Sequence, residues 1–488
     1  MTQPFSSVFA MTSFDRLAGV SRREWLQSAT CGIGGLALHS LLSKSAEADA
    51  LSSTNPLAVR NPHHFARAKR MIFLFMAGGP SQADLFDPKP FISKHHGKTV
   101  AAPVDDRQIR VGVEKFIAMG PVAPVRRRGE SGMMISDLLP NLATTADDLC
   151  LLRGLHTDNK AHAPATLQLH TGTLAEALPS FGSWISYGLG TENENLPSFL
   201  TIHPPGDGRT YGSSFLPAVH QGTPVDLRGG PEKQAIKYLQ DADTKPEVQR
   251  RRLDFLQRMN RRLLARAERD AQMEGIIQSF ELAFRMQAET PRLIDLAGET
   301  QETLDLYGVG KKECDANARA CLLARRMSEA GVRFVQVSVG GWDHHGSIPV
   351  NLKNSCAGVD QPIAGLLKDL KRRGLLEDTL VMWSGEFGRS QWSQDLSGTA
   401  PIEKHGREHQ QESYCAWLAG GGVKGGLTYG LTDDFGLHPV EGRIHLHDLH
   451  ATMLHLLGLD HEKLTYRYAG RDFRLTDVYG TVAKDILA

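Results

Sequence analysis

Three side chains of the kinds that bind divalent metals lie in two short loops of this 488-residue sequence. Asp343 and His345 are two residues apart in one loop, and His409 lies in the later loop of residues 404–409. One carboxylate and two imidazoles form a three-ligand set suited to zinc or a similar divalent ion, with one position left for water or substrate. The sequence therefore predicts a metal site where these two loops meet.

A third loop, residues 385–389, adds a carboxylate and a guanidinium. Glu386 is a candidate proton acceptor, because a carboxylate beside a metal site can take a proton from the attacking group. Arg389 is a candidate anion-binding residue, because a guanidinium holds phosphate or sulfate through two parallel hydrogen bonds. These two side chains would complete a site for hydrolysis of an anionic ester.

Short apolar runs precede these loops and predict the elements that position them. The runs are residues 71–76, 149–152, 332–339, 379–383 and 414–418. Uninterrupted runs of this length are typical of strands buried on both faces of a parallel sheet. A helical pattern over 360–373 separates the third and fourth runs, so the Asp343 and Glu386 loops should emerge at one edge of the sheet.

The segment 245–297 is polar, rich in arginine and long, and it predicts a helical insertion or lid. A stripe at helical spacing marks it: Leu253, Leu256, Met259, Leu263 and Leu264. We interpret its charges as a solvated face rather than a binding surface.

The first fifty residues have the pattern of a twin-arginine export signal. Arg22 and Arg23 precede an apolar run over 29–42 and two Ala-x-Ala sites at 46–50. The alternative is a short amphipathic helix with a chance arginine pair. The signal predicts the twin-arginine machinery as a partner, a periplasmic or extracellular location, and one folded domain over 51–488 with no membrane span.

The overall composition does not by itself indicate several other functions. Lys plus Arg and Asp plus Glu both total 55, so no charge excess points to nucleic acid or an anionic membrane. The five cysteines after residue 50 include no Cys-x-x-Cys pair, so they should be core residues or form a single bridge rather than a zinc knuckle.

Four longer segments resemble an exported family called domain of unknown function 1501, which is placed among the alkaline-phosphatase-like and sulfatase-like proteins. They are residues 71–90, 341–346, 385–389 and 447–458. The resemblance extends over nearly the whole chain after the export signal. It implies an α/β fold, an alkaline-phosphatase-like three-layer sandwich with a largely parallel central sheet flanked by helices, and a metal-centred hydrolytic site.

The resemblance carries over unevenly to individual residues. Asp343, His345 and His409 match the first metal site of that superfamily. The second site is not matched, because the first strand ends in Ala-Gly-Gly and a Glu-Phe pair replaces its Asp-His pair. We therefore expect one divalent ion per chain, zinc first, with manganese or calcium as alternatives. The expected substrate-binding residues are Ser81, Asp84 and Arg407.

The segment 162–172 resembles the sulfatase motif that carries the formylglycine nucleophile. His162 takes the nucleophile's place and Thr166 the place of an arginine. Because an imidazole cannot become formylglycine, ordinary sulfatase chemistry is excluded in this register. His162 remains open as a metal ligand, a general base, a covalent nucleophile or a helix-capping residue.

The resulting hypothesis is an exported metal-dependent hydrolase of phosphate or sulfate esters. Its substrate would be an anionic ester such as a sulfated or phosphorylated glycan. His162 or Glu386 would take the proton, and Arg389 or Arg407 would hold the anionic group. The alternative is a non-catalytic module that binds an anionic glycan or a partner protein through the same edge.

A second histidine group lies near the carboxyl terminus, at His438, His445, His447 and His450. Leu449, Met453 and Leu456 around it have helical spacing, so we expect these histidines to be mainly structural. His438 is the one exception left open, because it precedes Pro439 in a loop that could reach the edge of the sheet.

Overall fold

The computed structural model describes residues 55–102, 115–228, 235–237, 239, 244–264, 271–395 and 397–488. The expected export signal over 1–50 lies outside these residues. Pro56–Ala488 form one compact unit. Among the described residues, no helix is both long enough and apolar enough to cross a membrane.

The strands and helices alternate along the chain. Within the described residues, the strands are β1 (Arg70–Met76), β2 (Thr99–Ala101), β3 (Lys115–Ile117), β4 (Val125–Arg128), β5 (Met133–Ser136), β6 (Leu149–His156), β7 (Phe199–Ile202), β8 (Thr223–Val225), β9 (Phe334–Val339), β10 (Thr379–Ser384), β11 (Gly388–Ser393), β12 (Arg407–Gln410), β13 (Tyr414–Ala419), β14 (Leu427–Tyr429), β15 (Leu431–Thr432), β16 (Pro439–Glu441), β17 (Ile444–His445), β18 (Tyr466–Tyr468) and β19 (Arg471–Phe473). The α-helices there are α1 (Gln82–Leu85), α2 (Pro90–Lys94), α3 (His162–Thr171), α4 (Phe181–Leu189), α5 (Pro246–Leu264), α6 (Ala271–Ile294), α7 (Gln301–Tyr307), α8 (Asp315–Glu329), α9 (Ile348–Arg372) and α10 (Leu446–Leu456).

A central sheet organises the fold, with strand order β14-β6-β13-β10-β1-β9-β7-β8 and β17 paired further along β6. Its neighbouring strands are parallel except at β13, which is antiparallel to both β10 and β6. The protein is therefore mixed α/β with a mostly parallel sheet. The expectation that the run 414–418 is a parallel strand is wrong, because burial on both faces favours an apolar run without specifying its direction.

Helices cover both faces of this sheet, and β1 shows why. Its side chains alternate between two cores, because successive residues of a strand point to opposite faces. Ile72 and Leu74 pack in the core that contains residues of α8 and α9, whereas Phe73 and Phe75 pack in the core that contains residues of α4 and α10. Both faces of β1 are therefore buried, as its uninterrupted apolar sequence predicts.

The strand directions bring four loops to one edge. β1 is paired in parallel with both β9 and β10. β6 points the same way, because the antiparallel strand β13 lies between it and β10. The loops that follow β1, β6, β9 and β10 therefore emerge together, at what we call the carboxyl edge.

Two helices, α5 and α6, fill much of the segment 245–297. Leu253 and Gln257 of α5 are buried, and the Gln257 amide donates a 2.9 Å hydrogen bond to the Ile277 carbonyl of α6. Most of the apolar stripe, however, faces outward: Leu256, Met259 and Leu263 are 47%, 48% and 53% exposed. The stripe is therefore not the packing face of α5.

The carboxyl-terminal histidines support the packing of α10 against α3. His450 and His447 donate through Nε2 to the carbonyls of Leu169 and Gly172, each over 2.8 Å. His445 is the N-cap residue of α10 and forms a capping box with Asp448. The cysteines 150, 314, 321, 356 and 415 are all buried and free.

Three buried histidines should make the protein less stable in mild acid. Burial lowers the pKa of His170 to about 4 and those of His220 and His450 to about 3. Below pH 6.5 the unfolded chain binds protons at these positions and the folded chain does not, so stability falls as the pH falls. We expect the free energy of unfolding to drop by about 1 kcal/mol for each of them between pH 7 and pH 5.5.

Urea unfolding at the two pH values and equal ionic strength measures this effect. Equal stability at both values would mean that the buried imidazoles accept protons in the folded protein.

Candidate metal centre

Four side chains meet at the carboxyl edge. One ligand atom from each of His162, Asp343, His345 and His409 lies within 4.8 Å of all the others. The Asp343 carboxylate is central: its Oδ1 is 2.8 Å from His345 Nε2 and 3.3 Å from His409 Nε2, and its Oδ2 is 3.2 Å from His162 Nε2. The structure thus brings the three predicted ligands together and adds His162.

Backbone contacts bring the His345 loop and the His409 segment together. The Arg407 amide donates to the His344 carbonyl over 3.1 Å, and the Ile348 amide donates to the His405 carbonyl over 3.0 Å. Gly406 permits this approach, because a Cβ atom there would lie 2.0 Å from the carbonyl carbon of His345. Any other residue at 406 would force the two segments apart.

A hairpin and the start of a helix place His409 and His162 in the cluster. In the β11–β12 hairpin, Arg389 is paired directly with His409, and both side chains contact Asp343. His162 is the first residue of α3, after the N-cap residue Ala161. The positive end of the α3 dipole therefore lies at the cluster, where it favours bound negative charge.

An oxygen acceptor holds the Nδ1 atom of each imidazole. The three pairs are His162 with Glu386 Oε1 at 2.6 Å, His409 with the Lys160 carbonyl at 2.7 Å, and His345 with Gln394 Oε1. With the proton on Nδ1, each Nε2 keeps its lone pair and points towards Asp343. Metal-binding histidines are typically held in this way.

The Nε2 atom of His162 gives a further test of whether the cluster suits a metal ion. It is buried and has no hydrogen-bond partner among the described residues. A buried polar atom without a partner is costly, and a metal ion would satisfy it. Three imidazole nitrogens and one carboxylate oxygen are also a donor set that suits zinc.

Glu386 lies behind His162 and is only 2% exposed. Its two oxygens accept the Gly78 amide at 3.0 and 3.1 Å, and one of them also accepts His162 Nδ1. The hydrogen bond from His162 to Glu386 raises the pKa of His162, against the opposing effect of burial. Glu386 therefore orients His162, and its burial and occupied oxygens do not fit the expected role of proton acceptor.

The charge states of Asp343 and His409 also suit metal binding. Burial opposes ionisation of Asp343, but the hydrogen bond and charge of Arg389 outweigh it and lower the pKa of Asp343 to about 2. Burial lowers the pKa of His409. At neutral pH the cluster therefore offers an ionised carboxylate and a neutral imidazole, which are the ligating forms.

The two glycines at the positions of a second metal site could not be replaced by ligand side chains in this backbone. A Cβ atom on Gly78 would lie 2.5 Å from the Asp343 nitrogen, and one on Gly79 would lie 2.7 Å from the Phe387 ring. The Phe387 ring itself packs against His409, with centroids 4.4 Å apart. Within the described residues a single group of potential ligands is present. The geometry favours one ion.

Arg389 does not reach the substrate side, contrary to the expected anion-binding role. Its side chain is fully buried, and its guanidinium donates to the carbonyls of Gly78, Gly79 and Arg407 and to Asp343. These contacts use the donors that would bind an anion. Arg389 therefore positions Asp343.

The expected substrate-binding residues Ser81, Asp84 and Arg407 also lie in the interior. Asp84 and Arg407 have no exposed side-chain area, and two 2.8 Å hydrogen bonds join them. Ser81 Oγ donates to the same carboxylate at 2.5 Å. This correction has a simple cause: a charge close in sequence to a site can face the core if its partner is also there.

Sequence reasoning missed two supports of the cluster. Gln394 and the carbonyl of Lys160 hold two of the imidazoles, but they lie 49 and 249 residues away from them in the chain. No local pattern indicates such a contact. Gly406 could have been noticed in the sequence, because a glycine between His405 and Arg407 can indicate a close approach of two backbone segments.

A family model described as "Protein of unknown function (DUF1501)" matches residues 68–487. The chain belongs to this family. No curated protein matches this DUF1501 member in sequence.

Several solved structures are similar to this DUF1501 protein. Lipoteichoic acid synthase LtaP from Listeria monocytogenes has a TM-score of 0.39 and 10% identity, covering 86% of this chain and 78% of that one. PsFucS1 sulfatase from Pseudoalteromonas sp. has a TM-score of 0.33 and 12% identity, and the match covers 81% of this chain and 69% of that one. A TAB5 alkaline phosphatase mutant with bound Mg has a TM-score of 0.33 and 11% identity, and the match covers 81% of this chain and 99% of that one. Scores this low carry no argument about the site.

Substitution of Gly78 should weaken metal binding. Gly78→Ala places a methyl group against the Asp343 backbone and disturbs the amide that holds Glu386, so we expect metal affinity to fall about 10- to 100-fold. Gly340→Ala is the matched control, because a Cβ atom there meets nothing within 4 Å. Isothermal titration with zinc measures both. Equal affinities would show that the Gly78 backbone does not position the ligands.

Removing Arg407 should destabilise the fold. Arg407→Leu leaves the Asp84 carboxylate buried without its partner, which costs about 3–5 kcal/mol of unfolding free energy. The control Arg126→Leu breaks a pair with Asp137 in which the arginine side chain is 61% exposed, and it should cost less than about 1 kcal/mol. Urea unfolding compares the two. If both variants lost less than about 1 kcal/mol of unfolding free energy, Arg407 would again be a candidate for substrate binding.

Proposed function

We propose that this protein is a metal-dependent hydrolase of phosphate or sulfate esters. The observation that carries the proposal is the convergence, within 4.8 Å, of one nitrogen from each of three imidazoles and one oxygen of the Asp343 carboxylate. Because an oxygen holds each Nδ1, the lone pairs are directed before any ion binds. Such preorganisation is expected of a site built for a metal.

In this proposal His162, Asp343, His345 and His409 hold one divalent ion, with zinc the first choice. When bound, such an ion polarises an ester oxygen and lowers the pKa of a coordinated water from about 15.7 towards about 7. The side chains of Asp343 and His345 are 43% and 35% exposed, so the substrate can approach from their side. Glu386 and Arg389 act as positioning residues behind His162 and Asp343.

The anionic group of the ester then needs a binding partner other than Arg389 or Arg407. We assign it to the amino-terminal end of α3, where the first amides have no helical acceptor, and to the side chain of Lys160. Lys160 is exposed and lies two residues before His162, and its carbonyl already anchors His409. A mobile ammonium group at this position can follow substrates of different size.

The proposed substrate class and location rest on the sequence. The superfamily resemblance supports a sulfated or phosphorylated glycan, or another anionic ester. The twin-arginine pattern at Arg22 and Arg23 supports action in the periplasm or outside the cell.

The non-catalytic alternative also has an observation in its favour. Four protein ligands can close a tetrahedral zinc site completely, and closed sites are typically structural. In that case the ion would stabilise the carboxyl edge, and the exposed loops would bind an anionic glycan or a partner protein without turnover.

Metal analysis and assays of three proteins distinguish these functions. We expect about one ion per chain in the purified protein, loss of that ion in His409→Ala, and retention in the control His95→Ala, a half-buried histidine outside the cluster. Hydrolysis of aryl phosphate or aryl sulfate should fall by about a hundredfold or more in His409→Ala.

The metal and activity results separate the two candidates. Bound metal without hydrolysis of either ester class favours the binding module. A protein that binds none of zinc, manganese and calcium would contradict both.

A further inference from the structure

The outward face of α5 carries an apolar stripe that no part of the described structure covers. Phe255, Leu256, Met259 and Leu263 form this outer stripe and are 56%, 47%, 48% and 53% exposed. Phe255, Met259 and Leu263 are four residues apart and so share one face of the helix. The opposite face, with Leu253 and Gln257, packs against α6. Within the described residues, the outer stripe takes no part in the packing of α5 against α6.

Arginines border the outer stripe. α5 contains six arginines and only two acidic residues, Glu247 and Asp254. Arg250 pairs with Asp254 and Glu281, and the other five arginines have no ion pair to any described carboxylate. At 100° per residue, three of these five, Arg251, Arg258 and Arg262, lie in the row beside Phe255, so the apolar surface has a continuous positive edge.

The arginines along the outer stripe indicate what kind of partner can bind there. A second copy of the chain would bring two positive edges together across a symmetric contact, and the repulsion would oppose association. An anionic surface instead complements the arginines while the apolar side chains leave water. A hollow of about 510 Å³ lies on this face, lined by Val248, Arg251, Arg252, Phe255 and Leu256, and it offers an apolar floor between guanidinium groups.

We propose that the outer stripe of α5 binds the surface of an anionic phospholipid membrane. Helices that lie in a membrane interface combine large apolar side chains with flanking arginines in this manner. The arginines contact lipid phosphates, and Phe255, Met259 and Leu263 enter the acyl boundary. α5 carries six arginines and two acidic residues among its 19 residues, so it would lie along the interface without crossing it.

Vesicle sedimentation of the full-length chain tests this surface. Vesicles of phosphatidylcholine with about one third phosphatidylglycerol should bind the protein, and pure phosphatidylcholine vesicles should bind it at least tenfold more weakly. The triple variant Phe255→Ser, Met259→Ser and Leu263→Ser should lose about tenfold or more in affinity for the anionic vesicles.

A matched control removes equally exposed apolar side chains elsewhere. Val350, Val440 and Val478 are 59%, 57% and 71% exposed, and their joint change to Ser should leave vesicle binding unchanged. Circular dichroism of each variant verifies that it remains folded. Charge reversal by Arg251→Glu, Arg258→Glu and Arg262→Glu is a second route to the same loss of binding.

Two outcomes would overturn the proposal. Equal vesicle binding by the wild type and both α5 variants would show that α5 is not the contact. Light scattering that finds a dimer of the wild type and a monomer of the serine variant would assign the outer stripe to contact between copies. Metal content and ester hydrolysis do not enter this test, so its result is independent of the proposed activity.

Discussion

The arrangement of the candidate metal ligands depends on one buried guanidinium. Arg389 has no exposed side-chain area, so its hydrogen-bond donors must be satisfied inside the protein. It meets this requirement by donating to the carbonyls of Gly78 and Gly79, to the Arg407 carbonyl and to Asp343. Those acceptors belong to the loop after β1, the β11–β12 hairpin and the loop after β9. A single charge therefore joins three separate parts of the chain around the site.

The same need for satisfied polar groups extends outwards from Arg389. Glu386 is buried because the Gly78 amide and His162 both donate to it, and Asp84 is buried because it pairs with Arg407. Each buried charge is thus held by an adjacent loop. Removing one partner would leave another charge unsatisfied in the interior, where solvent cannot compensate. The support of the cluster is a connected polar network beneath a surface that stays open to solvent.

Glycines and aromatic packing then limit what this edge can bind. Side chains at Gly78 and Gly79 would meet the Asp343 backbone and the Phe387 ring, and that ring lies against His409. The volume that a second set of ligands would need is filled by backbone and by an aromatic ring. The proposed function therefore has one ion at this edge, and it assigns the anionic group to the amino-terminal end of α3 and the exposed Lys160.

The sequence alone determined the strands β1, β6, β9 and β10, and it indicated Asp343, His345 and His409 as the candidate ligands that the structure brings together. Burial on both faces requires continuous apolar runs, and metal chemistry accepts few residue types, so both leave a local signature. Only the tertiary structure decided the direction of β13, the burial of Arg389 and Arg407, the place of His162 in the cluster and the outward face of α5. Apolar content and charge are properties of one residue, whereas strand direction and the partner of a charge depend on segments hundreds of positions away.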